Sequence, residues 1–299
     1  MGQALASEFA AARVVFEEID ATLGQNLSAL MWTGSPDELN LTANAQPALL
    51  AVSIAALRVL EAETGVEVDG EVDAVAGHSL GEYSALVAAG CMKLGDAARL
   101  LRIRGDAMQE AVPVGQGAMA ALLGLDLEAA QAVAREAAEG ETCDVANDNG
   151  SGQVVVSGHA AAVGRAVALA PARGAKRAML LSVSAPFHCG LMAPAAERMR
   201  ESLAPIELST PFCPVVTNVE AAPLSDPEAI RRGLVAQVTG TVRWRESVAR
   251  MSRDGIDTFV EIGAGKVLTG LVKRIATGCR AASFGGPADL EAVRPLVEG

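Results

Sequence analysis

The chain has 299 residues, of which 51% are hydrophobic and only 3% aromatic, and its formal net charge is −12. That length accommodates one large α/β domain with a smaller insert, and the Ala- and Gly-rich composition suits helices packed closely on a parallel sheet. The negative charge argues against a general nucleic-acid-binding protein. No basic-then-apolar leader opens the sequence, and no uninterrupted apolar run approaches the roughly 18 residues of a membrane span, so we expect a soluble cytoplasmic protein.

The five cysteines are odd in number and show no metal-binding spacing. Both observations favour reduced thiols, as in a cytosolic protein, over disulfide pairs or a structural metal site. We therefore expect no metal and no cofactor.

The first part of the chain is predicted to be helical around one short buried strand. Its apolar residues recur at helical spacing, and glycines stand where such helices commonly end. Helices are predicted over residues 1–23, 47–64, 82–90 and 96–110, a helix start at 35–38, and a strand at 72–76.

The strand at 72–76 and the next helix enclose the sequence Gly77-His78-Ser79-Leu80-Gly81. This G-x-S-x-G pattern in a strand-to-helix turn is typical of a nucleophile elbow, which lifts a serine oxygen clear of the sheet. The flanking glycines are expected because the turn is too tight for side chains. The N–H groups at the helix start would stabilise a developing oxyanion. We predict that Ser79 is a catalytic nucleophile.

The sequence pattern changes at Gly117, after which strands and helices are predicted in the order β-α-β-β-α-β. Strands are predicted at 118–124, 143–146, 153–157 and 175–183, with helices at 127–139 and 160–172 and a hairpin turn at 147–150. This is the ferredoxin-like order. We expect a ferredoxin-like insert over residues 116–184, between the two parts, 1–115 and 185–299, of a large hydrolase-like α/β domain.

Beyond Pro186 the larger domain is predicted to resume with the alternation expected of a mostly parallel sheet. Its elements are helices at 193–203, 227–238, 243–254 and 266–276, strands at 214–218, 258–262 and 280–284, and a last helix. The stretch from Gly263 to Lys266 lacks the full spacing of a phosphate-binding loop, so we interpret it as a tight turn.

A nucleophilic serine needs a base, and the chain offers three histidines. His78 adjoins Ser79, but successive side chains diverge on such a turn, which favours a substrate-contacting role. His159 begins a helix of the insert and is interpreted as structural. His188 lies where the insert returns to the larger domain and faces a crevice between them, so by elimination it is the predicted base.

Arg104 is the most informative charge in the sequence. On a helical wheel it falls at the centre of the apolar face of the helix over residues 96–111. A guanidinium that points inward must be paired, since an isolated buried charge costs several kcal/mol or more. Two interpretations remain open: a salt bridge to a carboxylate of the protein, or a bidentate site for a substrate carboxylate.

Five stretches together resemble the malonyl-CoA:acyl-carrier-protein transacylases of type II fatty-acid synthesis, and the resemblance covers nearly the whole chain. The spacing of Ser79, Arg104, His188 and Gln237 also agrees with the family pattern. The matching stretches are Gly77 to Leu86, Gln46 to Leu50, Arg104 to Gln109, Gly152 to His159, and Gly263 to Leu271.

The resemblance implies a ping-pong acyl transfer with malonyl-CoA and acyl carrier protein as partners, in a monomeric enzyme. Ser79 would attack the malonyl thioester with His188 as base, and the carrier's phosphopantetheine thiol would then take the malonyl group. Arg104 would bind the malonyl carboxylate, the backbone carbonyl of Gln237 would orient His188, and the Leu80 N–H would contact the oxyanion.

The same resemblance extends to residues around the acyl group and the site entrance. Phe187 matches the bulky residue of malonyl-selective acyltransferases. Asn147 and Asn149 match positions near the active-site entrance, and His78 is expected to contact substrate.

Three alternatives remain. A polyketide-type acyltransferase with another acyl group would share the fold, and an inactive, truncated relative would only bind carrier protein. An α/β-hydrolase esterase shares the Ser79 motif, but an inward-facing Arg104 argues against it because neutral esters need no cation.

The resemblance also predicts a difference at the N-terminus. In the family a strand ending in Gly-Gln-Gly-Ser-Gln precedes the first helix, and its Gln supplies a second oxyanion N–H. We expect this sequence to begin after that stretch, and Gln3 is not the counterpart of that Gln because it leads directly into a helix. We expect a gap in the sheet, unpaired strand edges and one oxyanion donor fewer, with low stability and weak activity.

Overall fold

The structure is a computed structural model that describes residues 1–298. Helices and short sheets make up the described chain, which confirms the predicted α/β class. The first part is helical, with elements α1 (Gln3–Glu8), α2 (Ala10–Leu23), α3 (Leu27–Thr33), α4 (Pro36–Asn40), α5 (Thr42–Thr64) and α6 (Val68–Glu71).

Four features of this helical part differ from the prediction. The helix predicted over residues 1–23 is broken at Phe9, which is extended, and α3 and α6 were not predicted. Helix α5 begins at Thr42, with Pro47 inside it. The N–H groups of Asn44 and Ala45 already bond to the carbonyl of Leu41, so the missing N–H of Pro47 removes only one bond near the helix start.

Helix α5 forms the centre of the largest hydrophobic cluster, together with α2 and two later helices over residues 81–88 and 94–110. Its length and apolar composition would suffice for a membrane span, yet 72% of its apolar window is buried inside the protein. The helix is therefore packed as a core element by neighbouring helices.

The region around Ser79 follows as β1 (Val75–Ala76), α7 (Gly81–Ala88) and α8 (Leu94–Glu110). Gly105 of α8 meets the backbone of α5, because a Cβ atom there would lie 2.5 Å from Ala43 Cα. This close approach of the two helices brings α8 against the start of α5.

The next stretch forms a separate four-stranded antiparallel sheet. Its elements are β2 (Gly117–Leu123), α9 (Leu127–Ala138), β3 (Cys143–Asp148), β4 (Gln153–His159), α10 (Ala160–Leu169) and β5 (Arg177–Leu180). The strand order β3-β4-β2-β5 and the packing of α9 and α10 on one hydrophobic cluster are those of a ferredoxin-like unit. The boundaries at residues 116 and 184 stay a prediction.

The hairpin between β3 and β4 turns later than predicted. Asn147 and Asp148 belong to β3, and the turn includes Gly150 and Ser151, both with positive φ. Strand β3 pairs with β4 as far as Asp148, and it also pairs with Val242. The Val242 N–H donates to the Ala146 carbonyl at 2.8 Å, and the Asp148 N–H donates to the Val242 carbonyl at 2.9 Å.

The last part of the chain completes the larger α/β region. Its elements are α11 (Ala193–Leu203), β6 (Val215–Val216), β7 (Pro223–Leu224), α12 (Pro227–Gln237), α13 (Trp244–Arg253), β8 (Thr258–Ile262), α14 (Val267–Ile275), β9 (Arg280–Phe284) and α15 (Leu290–Val297). The two-residue strand β7 was not predicted, and it pairs antiparallel to β6.

The sheet of the larger region is divided into two pieces in residues 1–298. One has the order β1-β6-β7, and the other pairs β8 with β9 in parallel. Both pieces pack against the same two hydrophobic clusters. Val75 and Val260 contact the cluster around α5, and Ala76 and Phe259 contact a second cluster formed mainly by α13 and α14. Within residues 1–298, β1 pairs only with β6, and β8 pairs only with β9.

Candidate active site

The turn between β1 and α7 holds Ser79 in a strained backbone conformation. Its φ is +52°, in the left-handed region that non-glycine residues rarely adopt. A Cβ atom on Gly77 would lie 1.9 Å from the Gly81 carbonyl oxygen, so only glycine fits there. The same expectation for Gly81 is wrong, since a Cβ atom at Gly81 would meet nothing within 4 Å.

Ser79 and His188 are in hydrogen-bond contact although they are far apart in sequence. The Ser79 Oγ lies 2.8 Å from His188 Nε2, and His188 Nδ1 lies 2.8 Å from the backbone carbonyl oxygen of Gln237. A carbonyl only accepts, so it selects the tautomer with the proton on Nδ1 and leaves Nε2 free to accept the serine proton.

The His188 imidazole is neutral at physiological pH. Burial, together with the positive charge on Arg104, lowers the pKa of His188 to about 3. The Gln237 carbonyl acts in the opposite direction but does not outweigh burial. His188 is therefore in its proton-accepting form beside Ser79.

Arg104 is buried on α8 at 2% exposure, as the helical wheel predicted. Its guanidinium donates to three neutral oxygens: Gln46 Oε1 at 2.7 Å, Gln237 Oε1 at 2.9 Å and Ser79 Oγ at 3.1 Å.

Within residues 1–298 Arg104 forms no salt bridge, so the interpretation of Arg104 as half of an internal ion pair is wrong. Its Nε has no hydrogen-bond partner in the same part of the chain. All hydrogen-bond partners of Arg104 in the described chain are neutral, and the buried Glu82 carboxyl acts on it only from beyond the Gln237 side chain. A buried cation without a direct ion-pair partner is suited to bind an anion.

A second layer of polar residues lies under the Ser79 turn, and the sequence analysis did not assign it. Glu82 is buried at 1% exposure, and its Oε2 accepts from the Asn218 backbone N–H and from Gln237 Nε2, both at 2.9 Å. Burial raises the pKa of Glu82 to about 7. The side chain of Gln237 thus connects Glu82 with Arg104.

Of these residues, Gln46 and Glu82 lay in stretches already singled out, those from Gln46 to Leu50 and from Gly77 to Leu86, but neither was given a role. A single Asn or Glu carries no periodic pattern that would distinguish Asn218 or Glu82. For Gln237 the backbone carbonyl was assigned, but the hydrogen bonds of its side chain were not.

The backbone of the turn offers one free donor beside the nucleophile. The Ser79 N–H is occupied by Asn218 Oδ1 at 2.7 Å. The Leu80 N–H, at the N-cap of α7, has no acceptor within residues 1–298. It is therefore available to an oxyanion, at the positive end of the helix dipole.

The remaining predicted residues lie around this centre without hydrogen-bonding to Ser79. His78 Nε2 lies 2.9 Å from Asn149 Oδ1, and the His78 ring lies 5.7 Å from that of Trp244. Asn147 is buried where β3 pairs with Val242. Phe187 packs against both the large helical cluster and the β2–β4 cluster of the insert.

Comparison with known proteins agrees with this geometry. Residues 1–283 match the acyl transferase domain family. A malonyl CoA-acyl carrier protein transacylase of Bacillus subtilis is 45% identical over 300 residues, which is 100% of this chain and 93% of the relative. The chain belongs to the malonyl CoA-acyl carrier protein transacylase family.

Solved structures of the transacylase family share the fold. The acyl-carrier-protein-S-malonyltransferase of Bartonella henselae is 53% identical with a TM-score of 0.95, over 99% of this chain and 94% of that chain. A malonyl-transacylase in complex with a type II PKS acyl-carrier protein is 44% identical with a TM-score of 0.93, over 98% of this chain and 93% of that chain.

The two glycines of the transacylase turn give a testable pair. We predict that Gly77→Ala lowers the free energy of unfolding by about 1–3 kcal/mol, because the new methyl group overlaps the Gly81 backbone. Gly81→Ala should leave stability within about 0.5 kcal/mol or raise it, since the position begins α7 in open space. Urea denaturation of both variants checks this, and equal losses would contradict it.

Proposed function

We propose that this chain transfers the malonyl group of malonyl-CoA to the phosphopantetheine thiol of acyl carrier protein, through a malonyl-Ser79 intermediate. The observation that carries the proposal is the Arg104 guanidinium, a buried cation with only neutral partners, 3.1 Å from the Ser79 oxygen. An acyl group that ends in a carboxylate, such as malonyl, matches this pair. Family membership and a relative complexed with an acyl-carrier protein support the same reaction.

In the first half-reaction Ser79 is the nucleophile. His188 Nε2 takes the hydroxyl proton while Ser79 Oγ attacks the thioester carbonyl of malonyl-CoA. The Leu80 N–H donates to the oxyanion of the tetrahedral intermediate. The C–S bond then breaks, His188 returns the proton to the departing sulfur, and CoA leaves malonyl-Ser79 behind.

The second half-reaction reverses these roles with a different thiol. His188 takes the proton of the phosphopantetheine thiol, whose sulfur attacks the malonyl-Ser79 ester. When the ester C–O bond breaks, His188 returns the proton to Ser79 Oγ. The Gln237 carbonyl keeps the same imidazole nitrogen facing Ser79 in both steps.

Other residues are proposed to shape the substrate site. His78, Asn147 and Asn149 are proposed to contact substrate at the entrance, where the His78–Asn149 hydrogen bond restrains both side chains. Phe187 precedes the base and is proposed to limit the bulk of the acyl group. The relative complexed with a type II PKS carrier supports a free-standing carrier protein as the acceptor.

We also propose that the protein is a cytoplasmic monomer of fatty-acid synthesis. None of the five cysteines is in a disulfide within the described chain, and four of them are buried. Reduced thiols favour a reducing compartment.

The covalent step is tested by intact-mass and peptide analysis after incubation with malonyl-CoA. We expect a malonyl adduct on the peptide that contains Ser79, and no adduct in Ser79→Ala. Ser84→Ala is the matched control, because Ser84 lies on α7 and its oxygen has no hydrogen-bond partner in residues 1–298. An adduct that persists in Ser79→Ala would overturn the assignment.

The low pKa of His188 predicts how activity depends on pH. An imidazole loses its function as a base when it is protonated, and for His188 this happens near its lowered pKa instead of near 6.5. We therefore expect kcat/KM for malonyl-enzyme formation to be retained between about pH 7 and pH 5. A tenfold loss per pH unit below 6.5, in a protein that stays folded by circular dichroism, would contradict this.

The role of Arg104 is tested by comparing two acyl groups. We predict that Arg104→Ala loses malonyl transfer by roughly 1.5–3 kcal/mol of transition-state binding, while acetyl transfer is kept or improved. Arg102→Ala is the control on the same helix, since Arg102 bonds to Asn44 and Gln25 away from Ser79. Equal losses on both acyl groups would count against a carboxylate-binding role.

A further inference from the structure

One side-chain amide holds the Ser79 turn from both sides. Asn218 follows β6 and is buried at 1% exposure. Its Oδ1 accepts from the Ser79 N–H at 2.7 Å, and its Nδ2 donates to the Gly77 carbonyl at 2.6 Å. Asn218 therefore closes a ring of hydrogen bonds around the strained turn, which it reaches from a part of the chain 139 residues away.

We propose that Asn218 is the positioning residue of the nucleophile: its amide fixes the Ser79 turn in the conformation that presents Oγ to His188. The proposal rests on the function proposed above. A left-handed φ at a serine costs free energy, and it persists only where the surroundings impose it. The two Asn218 hydrogen bonds act on the peptide groups on either side of His78, directly before the strained residue.

Asn218 is itself fixed to the rest of the catalytic centre. Its backbone N–H donates to Glu82 Oε2, and the same oxygen accepts from Gln237 Nε2. That Gln237 nitrogen also lies 3.0 Å from the Ser79 carbonyl, and the Gln237 backbone carbonyl orients His188. The nucleophile and the base are therefore positioned by one connected set of buried hydrogen bonds.

The chemistry of the site favours an amide at this position. One group must accept from an N–H and donate to a carbonyl at the same time, which a carboxamide does and an ionised carboxylate cannot. A protonated carboxylic acid could do both. Asn218→Asp should therefore reproduce both hydrogen bonds when the acid is protonated and lose one of them when it ionises. Asn218→Ala removes both.

The matched control is the preceding residue. Thr217 is equally buried at 1% exposure, and its hydroxyl has no hydrogen-bond partner in residues 1–298. Thr217→Val keeps the shape of the side chain and removes a hydroxyl that forms no hydrogen bond to the turn in the described residues. This variant shows whether any buried substitution after β6 lowers the rate, independently of the Asn218 hydrogen bonds.

The experiment measures single-turnover formation of malonyl-enzyme from malonyl-CoA, with melting temperatures as a check on folding. We expect Asn218→Ala to lower the maximal rate about 10- to 100-fold, because small displacements of reacting groups cost that much, with the malonyl-CoA concentration for half-maximal rate little changed. Within residues 1–298 Arg104 forms no hydrogen bond with Asn218, so we expect carboxylate binding to be retained. Thr217→Val should react at the native rate.

Asn218→Asp adds a second measurement, the pH dependence of the rate, which a purely structural role of Asn218 would not change. Burial favours the protonated acid, whose O–H can donate to the Gly77 carbonyl, and ionisation replaces that donor with a repelling negative charge. The rate of this variant relative to native protein should fall as the pH rises from about 5.5 to 8.5. The variant also keeps the test available if Asn218→Ala does not fold.

Native-like rates in Asn218→Ala, or a relative rate of Asn218→Asp that rises with pH, would overturn the positioning role. Native protein serves as the separate check on the function itself. If it forms no malonyl-enzyme, the proposed function fails. If it does and the Asn218 variants match it throughout, only the role of Asn218 fails.

Discussion

The catalytic centre depends on one electrostatic constraint, the burial of the Arg104 guanidinium without a carboxylate partner. Desolvation of such a cation costs several kcal/mol even after relaxation, and three neutral oxygens offset only part of that cost. The protein holds the charge because α8 packs against α5 at Gly105 and brings Gln46 to the guanidinium. A molecule built for stability alone would place an apolar residue there, so the charge has to be explained by what it binds.

The backbone around Ser79 carries a comparable cost in conformation. The turn needs a glycine at position 77 and a positive φ at Ser79. It also needs the buried Asn218, whose side chain bonds to the Gly77 carbonyl and the Ser79 N–H. The insert also restrains the segment that contains Gln237, since its strand β3 pairs with Val242 a few residues after Gln237. The strained backbone conformation of Ser79 is thus maintained by hydrogen bonds from elements that are far apart in the chain.

Local patterns explain which parts of this arrangement could be predicted from sequence. Ser79 was marked by its glycines, Arg104 by its place on an apolar helix face, and His188 because only three histidines exist. The contacts of Gln46, Glu82 and Asn218 were beyond reach, because they join peptide segments up to 141 residues apart and leave no periodic trace. The start of α5 lies five residues before Pro47, where the helix was predicted to begin, and its first hydrogen bonds are local ones to the Leu41 carbonyl. The two-residue strand β7 was missed because it is defined by its pairing with β6 and is too short to show a periodic pattern.

The two charges of the site are coupled through the substrate that the proposed function assigns to it. Arg104 lowers the pKa of His188, second only to burial as a cause, so the free protein keeps a weak base beside its nucleophile. A malonyl carboxylate bound to Arg104 would cancel that charge and raise the basicity of His188 when the thioester is in place. An acetyl group would leave Arg104 unneutralised and His188 weak. The same cation then selects the acyl group twice, once by binding its carboxylate and once by activating the base only when that carboxylate is present.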